Sequence, residues 1–404
     1  AAVERAERGV ACGPTAQTLG ALRLVEAEAH VWRGELALAE QRGVEAVERL
    51  PAGSAPWFSA IKQVAVAAGK LGGFERVERW MGVAQAAEAE AEGALVEKHM
   101  CLVEGALLLV FGGRYAFADA LIEAVEGDGT DLAEREVEVE ARLHEVRSIR
   151  ALVNGDPGAC LRGLSSALAA FERAGDRGNA CAVRMNVGYM HAELGDFAGA
   201  EEVLRSALAA AERMGLHELA AATLSNLGHV LGYRGRVEEA QRTAREAIAL
   251  SQRLGDPRQE GSARTYLARI ALLARDYEAA EREARTAAEI LQSAPPLRAA
   301  AVAARARALL GLGRYDEGLS AAGEAFSMLE GIGAIEEGES AVRLVYAEAL
   351  EANGMEADCA AVIAAARERL LERAGKISDP VWRERFLTVP DNQKTLAMAE
   401  RWVG

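Results

Sequence analysis

Aromatic side chains make up only 5% of this 404-residue sequence, prolines number nine, and no stretch alternates β-branched or aromatic residues with polar ones. These shortages argue against a β-sandwich or barrel, whereas heavy use of Ala, Leu, Glu and Arg favours helix throughout. Cysteine is scarce: Cys12, Cys101, Cys160, Cys181 and Cys359 are odd in number, widely spaced and free of any C-x-x-C pair. That speaks against a disulfide scaffold or zinc motif and reads as reduced, mostly buried thiols. Net positive charge is lacking too, with 61 acidic against 46 basic residues and a formal charge of −15. General binders of nucleic-acid backbones need clustered basic charge, so nucleic acid is a poor partner for this chain. The longer apolar runs, 106–111 and 359–366, are far too short to span a bilayer, and no leader pattern opens the chain. No membrane association is therefore expected, and the sequence reads as cytoplasmic. It begins Ala1-Ala2, without Met and already in a charged helical pattern, as an excerpt of a larger protein would.

Motifs of catalysis are missing as well. Gly69-Lys70 and Gly375-Lys376 lack the upstream glycine and following Ser/Thr of a phosphate-binding loop, and no H-E-x-x-H, G-x-S-x-G or strand-linked G-x-G-x-x-G occurs. Cys160 and Cys359 have no partnered base, and the six histidines, His30 and His191 among them, are scattered along the chain. Gly127-Asp128-Gly129-Thr130-Asp131 carries two carboxylates in a loop, read as a solvated turn in preference to a metal site. No enzyme activity, cofactor or metal is expected.

What the chain does have is a repeat. Leu194-Gly195-Asp196-Phe197, Arg234-Gly235-Arg236-Val237, Ala274-Arg275-Asp276-Tyr277 and Leu312-Gly313-Arg314-Tyr315 each place a helix-breaking turn before an apolar anchor. Extended outward, the anchors are Leu36, Phe74, Tyr115, Pro157, Phe197, Val237, Tyr277, Tyr315 and Glu356, separated by 38 to 42 residues. A second register of breakers, Gly175, Gly215, Gly255, Pro295, Gly333 and Gly375, keeps the same beat. Two turns per period mean two helices per period.

Three columns supply the packing logic. Nine residues before the anchors stand Ala27, Ala65, Ala106, Ser148, Gly188, Gly228, Ala268, Ala306 and Ala347. Three after them stand Ala39, Val77, Ala118, Cys160, Ala200, Ala240, Ala280, Gly318 and Cys359, and ten after them Ala in every unit but one, which has Val125. Small side chains at fixed places on both helices let the axes approach to the close end of the ~8–10 Å range.

The order of small residue, turn glycine, aromatic anchor, Ala, bulky residue and Ala resembles the tetratricopeptide repeat (TPR), best over residues 177–325 and more loosely over 15–374. The period departs from the usual length of about 34 residues, and the starting Trp is absent. The long form is similar to arrays attached to bacterial signalling ATPases and transcription activators, and to those of kinesin light chains and spindle-orientation adaptors. Residues 379–392 resemble the tails of bacterial proteins in which a Ser/Thr kinase and an ATPase module precede a TPR array. The resemblance implies an all-α, right-handed α-solenoid of about nine helix-turn-helix repeats over 15–374. Residues 1–14 would end a preceding helix or form a cap. Residues 375–404, with Trp382, Phe386 and Trp402, would cap the last unit.

It also implies a function: a noncatalytic protein- or peptide-binding scaffold or sensor, part of a larger bacterial regulator, holding its partner along the concave surface. The alternative is a small-molecule or peptide-signal receptor that switches an attached kinase, ATPase or transcription effector. The first helix of each pair would line that surface. Residues eleven, eight and four before an anchor form one stripe on that helix. It reads Asn186, Tyr189, Glu193, then Asn226, His229, Tyr233, then Tyr266, Arg269, Leu273, with Arg307 in the eighth unit. Amides suit a peptide backbone, Tyr and His give rigid contact area, and Arg fixes acidic groups. In related arrays an asparagine at the place of Asn186 and Asn226 clamps the backbone of the bound peptide. The competing reading is a solvated face tied by hydrogen bonds between units. Toward the N-terminus the stripe turns apolar, with Trp32, Leu107, Phe111, Val146, Ile149 and Val153, as expected of core residues or of a face filled by a partner helix.

Overall fold

The structure, a computed structural model, describes residues 2–127, 136–333 and 337–403. Every regular element among them is helical. A leading helix α1 (Ala2–Ala11) precedes nine hairpins. The first four are α2 (Ala16–Trp32) with α3 (Leu36–Val47), α4 (Ala55–Lys70) with α5 (Phe74–Ala86), α6 (Glu92–Phe111) with α7 (Tyr115–Glu126), and α8 (Val137–Val153) with α9 (Pro157–Ala174). Then come α10 (Arg177–Glu193) with α11 (Phe197–Met214), α12 (His217–Tyr233) with α13 (Val237–Leu254), and α14 (Pro257–Leu273) with α15 (Tyr277–Ile290). The last two pairs are α16 (Pro295–Gly311) with α17 (Tyr315–Ile332) and α18 (Glu339–Ala352) with α19 (Glu356–Lys376). Two further helices follow, α20 (Pro380–Thr388) and α21 (Pro390–Val403).

In all nine hairpins the second helix begins at the anchor residue, including the non-aromatic Pro157 and Glu356. The turn explains why. Two residues before the anchor, Gly34, Gly72, Gly113, Gly155, Gly195, Gly235, Gly313 and Gly354 take φ between 70° and 80°, a left-handed conformation that only glycine adopts without a Cβ penalty. The seventh hairpin has Arg275 there, with φ 58°, at a cost on the order of 1 kcal/mol. Asp176, Asp196, Asp256 and Asp276 each cap the helix they precede by accepting from a backbone N–H three residues on. Between hairpins, Gly175, Gly215, Gly255 and Gly333 also have positive φ, and Pro295 opens α16 as its first residue. Gly375 differs from expectation: α19 continues through it to Lys376, and the break comes just beyond, where Asp379 caps α20.

Every residue of the three small-residue columns is buried. The columns therefore work as the close contacts of the hairpins, and the chain is an all-α, TPR-like solenoid. It divides into two compact units, residues 1–150 with 169–175 and residues 151–168 with 176–404. In the first, Phe58, Met81, Leu102, Leu109, Leu121 and Leu143 are among the largest fully buried side chains. In the second, a cluster built on Leu204, Leu224, Leu227, Leu231, Ile248 and Ile270 runs through α11 to α14. The apolar N-terminal stripe is core at Leu107, Val146, Ile149 and Val153, while Phe111 is half-buried and Trp32 is 80% exposed.

The C-terminal helices have separate tasks. Met398, Ala399 and Trp402 of α21 pack against Leu344, Leu350, Cys359 and Ile363 of the ninth hairpin, as a cap does. The other two aromatic residues of that segment, Trp382 and Phe386, are on α20, which lies elsewhere. Arg385 pairs with Asp196 at 3.2 Å, Trp382 meets the His191 ring edge-on at 5.3 Å, and Phe386 lies under the Arg373 guanidinium. A Cβ on Gly195 would stand 2.7 Å from the Arg385 carbonyl oxygen. His191 is thus a partly exposed contact for this returning segment rather than a core residue, whereas His30 is buried and bonded to Glu35.

Candidate functional site

The stripe lies on the first helices of consecutive hairpins, so its side chains from α10, α12, α14 and α16 are brought side by side within the second unit. The structure joins four of them, His229, Tyr233, Tyr266 and Arg269, into one network and gives Arg307 acids of its own. Tyr266 donates its hydroxyl hydrogen to Glu337 at 2.7 Å, and Nη1 of Arg269 donates to the other oxygen of that carboxylate at 2.8 Å. Nη2 of Arg269 reaches the Tyr233 hydroxyl at 3.2 Å. His229 stacks on Tyr266 with centroids 4.4 Å apart and meets Tyr233 edge-on, while Phe197 of α11 stacks on Tyr233 at 4.8 Å. Arg307 donates Nη1 to Asp391 of α21 at 2.8 Å and Nε to Glu348 of α18 at 3.2 Å.

Burial sets the electrostatics. It pushes the Tyr233 and Tyr266 hydroxyls above the ordinary phenol range, and it holds His229 neutral, well below its usual value, with Arg269 adding to the effect. Asp391 is buried as well, which alone would raise it, yet Arg307 and Arg269 outweigh that and keep it ionised below its usual value. Glu193 goes the other way: burial, aided by Glu337, lifts it to about 7 against the pull of Arg373 and Arg269 and a bond from Tyr189.

Asn186 and Asn226 behave differently. Both are half-buried, and neither forms a side-chain hydrogen bond with another described residue. The stripe is therefore divided: its Tyr, His and Arg members bind one another and the chain's own acids, while its two amides are left open.

Beside the network lies a cavity of about 560 Å³ lined by Tyr233, Arg269, Leu273, Tyr277, Arg307, Tyr315, Glu348, Asp391 and Lys394, among others. Volumes of this order suit small ligands or one or two peptide side chains. Stripe positions carried into the eighth and ninth hairpins give Gly311, Glu348 and Ala352, all of which line it. Arg275 comes from a turn, Tyr277 and Tyr315 are the anchors that open α15 and α17, and Pro390, Asp391 and Lys394 belong to α21. None of these last six lies on the repeat stripe, and Glu337 also falls outside it. Groups of three or more His, Cys, Asp or Glu able to hold a metal are absent among the described residues. The acidic turn at Asp128 to Asp131 lies outside them. No helix among the described residues is long and apolar enough to cross a membrane.

The network makes stability depend on pH with a definite sign. Unfolded, Glu193 loses its proton near the ordinary carboxyl value of about 4.3; folded, it keeps the proton until about pH 7. Between those values the folded chain binds the extra proton, so stability falls as pH rises through the window. Glu193→Gln removes that loss. It is expected to raise stability at pH 8 by on the order of 3 kcal/mol and to leave it unchanged at pH 4. Urea midpoints at the two pH values check this, and equal effects at both would refute it. His229, held neutral by burial, contributes the opposite slope below its unfolded value, so the variant should gain stability as pH rises from 5 to 7.

Comparison with known proteins agrees with this architecture. Residues 219–293, which hold nearly all of α12 and the whole of α13 to α15, match the tetratricopeptide repeat family model. No curated protein matches the chain. Among solved structures it is similar to a Rap protein complexed with Competence and Sporulation Factor, at a TM-score of 0.58 and 14% identity over 84% of this chain and 98% of that one. It is also similar to a Signal Transduction ATPase with Numerous Domains (STAND) protein with a tetratricopeptide repeat sensor from Pyrococcus horikoshii. There the TM-score is 0.53 and the identity 15%, over 81% of this chain and 50% of that one. At such identities the likeness is one of fold.

Proposed function

We propose that the second unit is a noncatalytic binding module whose cavity and open asparagines hold a peptide segment of a partner, as the sensory or scaffolding part of a larger bacterial regulator. The observation that carries this reading is the cavity of about 560 Å³ on the stripe, rimmed by exposed Leu273 and Tyr315. Asn226, two turns before the cavity residue Tyr233 on the same face of α12, has an unengaged amide with which to pair a peptide backbone. The Rap neighbour is complexed with Competence and Sporulation Factor, and the TPR segment of the STAND neighbour is a sensor; both are consistent with such a role. Because Pro390, Asp391 and Lys394 form one wall, an occupant would touch the repeats and α21 together. Binding would then be felt in the repeats and in the C-terminal segment at once. A small-molecule receptor is the second reading, favoured by the volume itself.

Filling the cavity tests both. Leu273 and Ala352 line it from exposed positions, so Leu273→Trp with Ala352→Trp adds bulk without entering the core. Peptides selected from a displayed random library on the full chain should bind the double variant at least about tenfold more weakly, a loss of ~1.4 kcal/mol, at an unchanged unfolding midpoint. Undiminished capture would overturn the assignment of the cavity. Calorimetric heat from a metabolite mixture with no selected peptide would favour the second reading.

A further inference from the structure

The nine hairpin turns form an internal control. Eight have glycine at the left-handed position, and the seventh keeps an arginine there at positive φ. Six of those glycines, at 34, 72, 113, 235, 313 and 354, have nothing within 4 Å of an added Cβ, so the position is roomy and the difficulty is backbone conformation alone. Strain that persists at one member of a repeated set points to what its side chain does. Arg275 lines the cavity, is exposed, and forms no ion pair or side-chain hydrogen bond with another described residue. The neighbouring carboxylate, Asp276, is occupied in capping α15 through the Ala279 N–H.

Across the cavity Lys394 repeats the pattern. It is exposed on the first turns of α21 and has no ion-pair partner among the described residues, although its field adds to the pull on Asp391. Of the other two cations in the lining, Arg269 is matched by Glu337 and Arg307 by Asp391 and Glu348, although Nη2 of Arg307 is buried without a hydrogen-bond partner. Two cationic head groups are therefore left without a paired acid, facing one space, in a chain whose net charge is −15. Leu273, Leu310, Tyr277 and Tyr315 supply apolar and aromatic wall around them.

We propose that this cavity recognises an acidic peptide segment carrying two adjacent carboxylates next to a bulky apolar residue, with Arg275 and Lys394 reading the charges. The proposal rests on the peptide-binding reading above and deepens it. The guanidinium offers paired donors to one carboxylate, and the ammonium on α21 a point charge for the other. Charge complementarity at a basic pocket on an acidic protein also selects against basic and neutral peptides that the apolar walls alone would accept.

Substitution to what the other turns already contain makes the test clean. With the whole chain and the fluorescein-labelled peptide Gly-Ser-Leu-Phe-Asp-Glu-Gly-Ser, Arg275→Gly and Lys394→Ala should each weaken binding about tenfold by anisotropy. The unfolding midpoint of Arg275→Gly should stay level or rise. The Asn-Gln version of the peptide should bind the parent chain as weakly as the acidic one binds the double variant, and raised salt should erase the difference. Equal affinity of the parent chain and Arg275→Gly for the acidic peptide overturns the charge assignment while leaving a peptide site in place. Failure of the acidic peptide to bind at all overturns the proposal too, and library-selected peptides lost on filling the cavity would still uphold the broader reading. Inorganic phosphate that binds through Arg275 in the absence of any peptide binding would overturn the choice of a peptide.

Discussion

Gly228→Leu is expected to cost about 1–3 kcal/mol of stability or more, the range in which overpacking of a close-packed core falls. Gly228 sits on α12 where that helix crosses α13. A Cβ built there stands 3.2 Å from the Ala244 backbone nitrogen and 3.3 Å from the Ala240 carbonyl oxygen. Both neighbours are backbone within a helix, so neither can rotate aside as a side chain can. Three further carbons require the hairpin to open, and Leu224, Leu227, Leu231 and Ile248 of the same cluster would lose contact with it. A fair control is Gly331→Ala on α17, where an added Cβ meets nothing within 4 Å. That change should stabilise by up to about 1 kcal/mol through helix propensity. Urea unfolding monitored by circular dichroism measures both, and a Gly228→Leu midpoint equal to that of the parent chain would refute the close crossing.

The same position shows why the fold is legible in the sequence. A helix crossing tolerates only small side chains, and small residues nine before and three and ten after each anchor leave a periodic trace that survives where the anchor itself drifts to Pro157 or Glu356. Both of those still begin a helix. Anchors and columns locate the elements because backbone geometry and close packing are local and repeated. Gly375 misleads because glycine alone does not stop a helix; α19 ends only beyond Lys376.

The candidate site is half legible. The stripe follows from helical periodicity, and it reaches Tyr233, Arg269, Leu273 and Arg307 and, extended, Gly311, Glu348 and Ala352, all in the cavity lining. Periodicity does not reveal what those residues face. Glu337 and Asp391 lie 68 and 84 residues from the arginines they bind, the first in the connection between the last two hairpins and the second beyond the array, and neither belongs to the stripe. Arg275 does leave a signal, since an arginine at the place of a turn glycine breaks the pattern. Its meaning depends on the cavity beside it.

Arg269→Met should be the most damaging single substitution in the network, at about 3–5 kcal/mol, because it leaves an acid largely buried without its cation. Glu337 would keep only the Tyr266 hydroxyl, and the Tyr233 oxygen would lose its donor. The loss should also grow with pH. Arg269 is one of the two cations holding Glu193 down toward 7, so its removal raises that group further and widens the window in which the unfolded chain sheds a proton the folded chain retains. Adding Glu193→Gln to Arg269→Met should therefore recover part of the stability at pH 8 and none at pH 4. Arg314→Ala, which breaks an exposed pair with Glu317, should leave the midpoint unchanged. A double-mutant cycle at the two pH values reads the coupling. Strict additivity of Arg269→Met and Glu193→Gln at pH 8 would show that the two groups do not share one electrostatic environment, and the network would then be no more than a set of separate pairs.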